Sequence, residues 1–306
     1  KERIWDVVRR TGYIPNSAAQ NLKLGQSMSK SHSHSLFCLF ARTPDDPNDP
    51  FFSSLARSIE VEAYKQNYIV KSSFTSFDIN KAETYRMILD NDVSGGVVLG
   101  RCNKPTLKFL KQHFRNVAYT GLNGIDAEFD QILCDGYDAS ICAMKYLIEL
   151  GHKCIGYIGE TSSENRYQGY RDILAQHGLP FNNSFVAPVP FSSNGGYDGA
   201  KKLLSQSNNL TAIFCGNDIT AIGAIRAIKD LGLKIPKDIS VISIDDIDIA
   251  QYLSPTLTTI QVPVESMGSM AAKILIDRIH GGHTLPMKVN FPCHLAKRES
   301  CDKPRK

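Results

Sequence analysis

Eight residues in this chain of 306 have side chains suited to recognition chemistry and follow closely on strand-like or proline-broken stretches. Phe51 and Phe52 follow "LFCLFARTPDDPNDP", Arg166 follows "GYIGETSSEN" and Phe191 follows "VAPVP". Asn217 and Asp218 follow "AIFCG", while Asp245 and Asp246 follow "VISI". A guanidinium fork, an amide, carboxylates and aromatic rings can hold a small polar molecule by hydrogen bonds and ring contact. Plainer roles compete for several of them. Helix capping is the favoured reading for Asp218 and Asp246, Phe51 is the more core-like of the two phenylalanines, and a structural ion pair stays open for Arg166. Asp135 in "ILCDGYD" fits a helix cap and a ligand contact equally well.

Reaction chemistry has little support. The chain contains no G-x-S-x-G, Walker loop or H-E-x-x-H, and Glu160 and Glu164 in "GETSSENR" form an acid pair without a defined partner. Neither an enzyme nor a cofactor is expected. His32 and His34 could bind a metal, but their setting in "SMSKSHSHS" reads as a solvated linker, so no metal is expected either. The eight cysteines include no C-x-x-C pair, and several sit inside apolar runs, which suits reduced, buried thiols in a cytoplasmic protein. No apolar run reaches the roughly 18 residues needed to span a membrane, so no membrane partner is expected.

The elements that must position these residues follow from periodicity. Short β-branched or aromatic runs ("SLFCLF", "NYIVKSS", "GGVVLG", "NVAYTG", "KCIGYIG", "TAIFCG", "ISVISID") alternate with segments of helical period. Ser53 to Gln66 places Leu55, Ile59 and Ala63 on one face, and Tyr137 to Leu150 places Ile141, Lys145 and Ile148 at helical spacing. Alternation of this kind predicts α/β architecture, with parallel sheets covered by helices on both faces. The pattern restarts at "ELGHKCIGYIG", which predicts two doubly wound lobes. A late helix, "PVESMGSMAAKILIDRIHGG", carries Met267, Met270, Ala271, Ile274 and Leu275 on its apolar face and ends at Gly281. The expected division is 1–26 for a short N-terminal helical segment, 27–34 for a linker, 35–151 with about 262–284 for the first lobe, and 152–261 with about 285–302 for the second. Ligands of open α/β sheets bind beyond the carboxyl ends of the strands, so two facing lobes predict a cleft lined by the residues named above.

The N-terminus has a different character. Residues 1–30 hold six basic and two acidic residues, a surplus equal to the net charge of +4 for the whole chain. The segment "YIPNSAAQNLKLGQS" has helix formers between Pro15 and Gly25, with almost nothing apolar to pack. A helix of about two turns is marginal in water and needs a partner. A basic arm of this kind suits a polyanion, and the alternative is a preformed spacer helix.

At this point the residues carry a family resemblance. "RIWDVVRRTGYIPNSAAQNLKLGQS" resembles the third headpiece helix and hinge helix of LacI/GalR-type bacterial transcription regulators. "DPFFSSLARSIE", "IELGHKCIGYIG", "RYQGYRDIL", "AIFCGNDITAIGAIRAI", "ISVISIDDIDIAQYLSPTLTTI" and a closing "KRES" continue the likeness in order. The resemblance implies a periplasmic-binding-protein-like body and a homodimer whose paired hinge helices fold on operator DNA. Tyr13, Asn16, Ala18, Ala19 and Leu22 fall on hinge positions, with Leu22 as the intercalating wedge. It also implies an effector cleft in which Phe52, Arg166, Phe191, Asn217 and Asp245 make contacts, the effector being a sugar or sugar phosphate. The function implied is a repressor of a carbohydrate-utilisation operon, with a sugar-binding solute receptor as the rival. Gly121 stands where sugar-responsive relatives often carry Asp, with Asn123 as a possible substitute. The helix-turn-helix expected ahead of "KERIWDVV" is absent from this sequence, so operator binding is expected of the full-length protein and only weakly of this fragment.

Overall fold

The computed structural model describes residues 34–41, 49–75, 93–207 and 209–305. The N-terminal helix, its hinge residues Tyr13, Asn16, Ala18, Ala19 and Leu22, and His32 lie outside the described residues. Everything below belongs to one compact unit, His34–Lys306.

Two six-stranded sheets organise this unit. The first contains β1 (Ser35–Phe40), β2 (Ile69–Thr75), β3 (Gly95–Leu99), β4 (Val117–Gly121), β5 (Asp130–Leu133) and β11 (Lys288–Asn290), in the order β11-β5-β4-β3-β1-β2 and parallel throughout. The second contains β6 (Ile155–Gly159), β7 (Val186–Pro188), β8 (Ala212–Cys215), β9 (Ser240–Asp245), β10 (Thr258–Gln261) and β12 (His294–Ala296), in the order β12-β10-β9-β8-β6-β7. Only the β10–β12 pairing is antiparallel among these strands. Central strands such as β3, β4, β6, β8 and β9 are buried along their whole length, as parallel strands covered on both faces must be. The fold is the doubly wound α/β type expected from the alternation.

Among the described residues seven helices cover the sheets: α1 (Pro50–Lys65), α2 (Lys104–His113), α3 (Gly136–Glu149), α4 (Asn165–Gln176), α5 (Ser193–Gln206), α6 (Asp218–Asp230) and α7 (Val264–Ile279). Most start at a side-chain cap at the carboxyl end of a strand. Asp49, Asp135, Glu164 and Asn217 each accept a backbone N–H from the first turn of α1, α3, α4 and α6. Asp135 thus takes the capping role, bonding Tyr137 N–H at 2.9 Å.

The lobe boundaries differ from the expected ones in two places. The chain first leaves the β5 sheet at Cys134–Asp135, because α3 packs on β8, β9, β10 and β12 of the second sheet and on α4. The motif at "ELGHK" marks the restart of a strand, not the crossing. α7 returns to pack on α1, β3, β4 and β5. The chain then stays through β11 in the first sheet and crosses again at Phe291–Cys293, later than residue 285. β11 is only three residues long, with an exposed–half-buried–exposed pattern, and so has no hydrophobic signature.

Among the described residues no helix is long and apolar enough to cross a membrane. All eight cysteines are free thiols, five of them buried. No three of the described His, Cys, Asp and Glu residues come together in a way that could hold a metal ion.

Candidate functional site

Residues at the carboxyl ends of both sheets line a shared cavity of about 160 Å³. From the first sheet come Phe52 at the start of α1, Gly100 and Arg101 after β3, and Tyr119, Gly121 and Asn123 at the end of β4. From the second come Glu160 after β6, Glu164 and Arg166 at the start of α4, and Phe191, Asn217 and Asp245. All five candidate contact residues, Phe52, Arg166, Phe191, Asn217 and Asp245, are therefore brought together on one wall-to-wall cavity.

Arg166 is the centre of the second wall. Its Nε donates to Glu164 Oε1 at 2.7 Å and one terminal nitrogen donates to the Gly216 carbonyl at 2.9 Å. The guanidinium also lies 4.1 Å from the centroid of the Phe191 ring, a cation–π contact. Burial opposes ionisation of Glu164, but Arg166 outweighs it and holds the carboxyl below its ordinary range. Arg166 thus has a structural ion pair and a place on the cavity wall at once. Phe191 fits only because two neighbours lack side chains: a Cβ on Gly216 would stand 2.4 Å from the ring, and one on Gly159 2.7 Å.

Asn217 caps α6 through its Oδ1, which accepts the Thr220 N–H at 3.0 Å. Asp245 ends β9 with φ of 127°, a conformation that side chains other than glycine rarely adopt. It is 5% exposed; burial first, then the nearby carboxylates of Asp218 and Asp49, push its carboxyl well above the ordinary range. The backbone there is strained and the acid is buried at a strand end.

Two neighbouring acids turn out differently from the expected caps. Asp218 occupies the first helical position after the Asn217 cap, fully buried. One of its oxygens accepts the Ser243 and Thr259 hydroxyls at 2.5 and 2.6 Å, and the other accepts the Ile247 N–H at 2.9 Å. It clamps α6 to β9, β10 and the turn after β9. Asp246 pairs with Arg298 at 2.6 Å and accepts from Gln261 at 3.0 Å, anchoring the C-terminal segment. In both cases the partners are far apart in sequence, so local capping logic could not find them.

The first wall is aromatic and small. Phe51 is buried, and Phe52 meets it edge to face at 5.2 Å while lining the cavity. Gly121 leaves room for Tyr119, whose hydroxyl would stand 2.9 Å from any Cβ there and which donates to the Asn123 carbonyl at 2.6 Å. Sequence reasoning missed Asp49, Arg101 and Tyr119 as cavity residues. Arg101 had a usable signal, since it directly follows the apolar run "GGVVLG" at a strand's carboxyl end.

Comparison with known proteins bears on this arrangement. A family model described as a periplasmic binding protein-like domain matches residues 144–301. The HTH-type transcriptional repressor PurR of Photorhabdus laumondii is 31% identical over 287 residues, covering 91% of this chain and 81% of that protein. The chain belongs to the LacI/GalR family of transcription regulators. A LacI-family regulator from Enterococcus faecium, solved with bound ribose, has a TM-score of 0.76 at 27% identity, covering 89% of this chain and all of that one. The fold is shared as well with a transcriptional regulator CelR–cellobiose complex, at TM-score 0.80 and 22% identity, covering 98% of this chain and 90% of that one. As a LacI/GalR member the chain is a ligand-responsive transcription regulator, and its cavity is lined from both sheets.

Proposed function

We propose that this chain is the effector-sensing body of a repressor, and that its effector is an uncharged, polyhydroxylated ring held between the two lobes. The observation that carries the reading is the cavity itself, which draws Phe52 from one lobe and Arg166, Phe191, Asn217 and Asp245 from the other. A ligand touching both walls favours one lobe angle over others, and that angle is what paired hinge helices can transmit to operator DNA. Carboxylate, amide and guanidinium groups suit hydroxyls, and the phenylalanine rings suit a sugar's C–H face. A sugar phosphate fits less well. Among the described lining residues the two arginines are ion-paired with Glu160 and Glu164, and Asp49 and Asp245 bring further carboxyl groups rather than cations. A planar purine is the second reading, supported by the two rings, Phe52 and Phe191, contributed by opposite lobes.

Binding suits the site better than turnover, because Glu160 and Glu164, the two acids that could have exchanged protons, are tied to Arg101 and Arg166. A cytoplasmic homodimer completes the proposal. Tyr64 on α1 and Tyr252 in the short 3-10 turn Asp248–Tyr252 are 77% and 71% exposed. A mostly polar groove, lined by neither tyrosine, runs between α1, that turn and the start of α7, so the support for a dimer lies in the two exposed rings themselves. Sedimentation as a monomer at micromolar concentration would contradict this part.

The test is a thermal-shift screen against neutral sugars, sugar phosphates and purines. A ligand at about 100-fold its dissociation constant raises stability by about 2.7 kcal/mol. A neutral sugar is expected to raise the midpoint most; a phosphate ester that outperforms its parent sugar would contradict the charge argument.

A further inference from the structure

Arg101 makes the most extensive of the bonds by which cavity residues of the first lobe reach the second. It follows β3 of the first sheet, yet one terminal nitrogen donates to Glu160 Oε2 at 2.6 Å and the other to the Ser163 carbonyl at 2.6 Å, with the Ser162 carbonyl at 3.3 Å. Glu164 Oε2 lies a further 3.9 Å from it. All four partners belong to the loop between β6 and α4 of the second lobe. That loop is bent to receive it: Ser163 has φ of 52°, the left-handed region that a serine seldom enters. A second crossing bond lies beside it, where Asn123 accepts the Asn165 N–H at 3.0 Å and donates to Glu164 at 3.3 Å.

We propose that Arg101 is the clasp of the cleft, a positioning residue whose bonds to Glu160 and the 162–163 carbonyls set how far the two lobes close on a ligand. The inference rests on the reading of the cavity as the effector site. These bonds exist only while the lobes are near one another, so their free energy adds to closure and to nothing else in either lobe. Ligand affinity is then the product of contact with the ligand and the population already closed. The Arg101 side chain is 35% exposed, so the clasp is open to screening by salt. An uncharged ligand would therefore bind with an ionic-strength dependence that its own contacts cannot produce. A lysine keeps the charge but loses the two-pronged fork that serves carboxylate and carbonyl together.

The direct test measures the distance between lobes. Para-acetylphenylalanine at the exposed positions Lys108 and Lys202 carries spin labels without using the native cysteines, and electron–electron resonance reads their separation. In the otherwise unchanged chain a short separation is expected at low salt, shifting toward longer values as salt rises to molar concentration. Arg101→Ala is expected to show the long distribution at every salt concentration, and Arg101→Lys to fall between. Circular dichroism and the unfolding midpoint check that the variants remain folded. An Arg101→Ala distribution that matches the parent's, or a parent distribution indifferent to salt, overturns the clasp. D-glucose, D-ribose and adenine added to the same samples address the cavity separately. If Arg101→Ala opens the lobes but no probe closes them, the effector reading loses support while the clasp stands. Where a probe does bind, Arg101→Ala is expected to weaken it about tenfold, on the scale of charge-assisted hydrogen bonds.

Discussion

The two walls of the cavity are built on different principles. The second lobe supplies a connected polar wall: Glu164 caps α4, Arg166 bonds Glu164 and the Gly216 carbonyl, and Asn217 caps α6. The first lobe supplies Phe52, two glycines and Tyr119, and it reaches across through Arg101 and Asn123. The contrast assigns anchoring to the second wall and closure to the first. Asp218 and Asp245, both buried at strand ends on the same side of the second sheet, differ in how the wall engages them. Burial pushes both carboxyls upward, Asp218 to about 6, but Asp218 meets two hydroxyls and an N–H whereas Asp245 sits in a strained backbone.

The largest effect is expected where both roles coincide. Arg166→Met leaves Glu164 buried without its cation and should cost about 3–5 kcal/mol in chemical denaturation. Adding Glu164→Gln should restore most of that stability without restoring ligand binding. If the double variant binds as the parent does, Arg166 belongs only to the scaffold and the contrast between the walls weakens.

Asp245→Asn is expected to act in the opposite direction on stability. Burial raises its carboxyl in the folded chain, so ionised Asp245 opposes folding, and this cost grows as pH rises above the ordinary carboxylate range. The neutral variant should be more stable than the parent at pH 7, by a margin that shrinks as pH falls toward the ordinary carboxylate range. It should also lose ligand binding, the trade expected of a residue kept for function. A variant that is both less stable and fully competent to bind would place Asp245 in the scaffold beside Asp218.

The smallest effect is a pH dependence at acid. Glu164 has its folded-state carboxyl lowered, so its contribution is present above the unfolded value near 4.5 and is lost as pH falls through the lower folded value. Glu164→Gln should therefore lose part of the acid limb of the stability profile below about pH 4.5. An unchanged limb would show that the Arg166 pair contributes little there.

Much of this architecture was legible. β-branched runs placed the central strands, and of the apolar face read for α7, Met267, Ala271, Ile274 and Leu275 are buried while Met270 is half-buried. Gly281 with φ of 79° follows the end of that helix, as expected. All five residues that the resemblance offered as contacts, Phe52, Arg166, Phe191, Asn217 and Asp245, line the cavity. What stayed hidden has identifiable causes. In α3, Ile141, Lys145 and Ile148 were read at helical spacing, but the buried residues are Gly136, Ala139, Ser140, Ala143, Met144, Tyr146 and Leu147. Gly, Ser and Ala among them carry little hydrophobic signal, so periodicity alone favoured the neighbouring isoleucines. β5, β7, β10, β11 and β12 are three or four residues long, too short for a period to register. Arg101 and the Asp218 clamp depend on contacts between distant segments that no local pattern encodes.

Hydrogen exchange measured with and without the strongest ligand from the thermal screen tests the central claim most directly, because it reports both walls at once. The account expects protection on ligand addition in the first-lobe segments 50–53, 100–102 and 119–123 and in the second-lobe segments 160–167, 191–192, 216–218 and 245–247. Protection confined to one lobe, or lying away from all of these segments, would contradict a ligand held between the two.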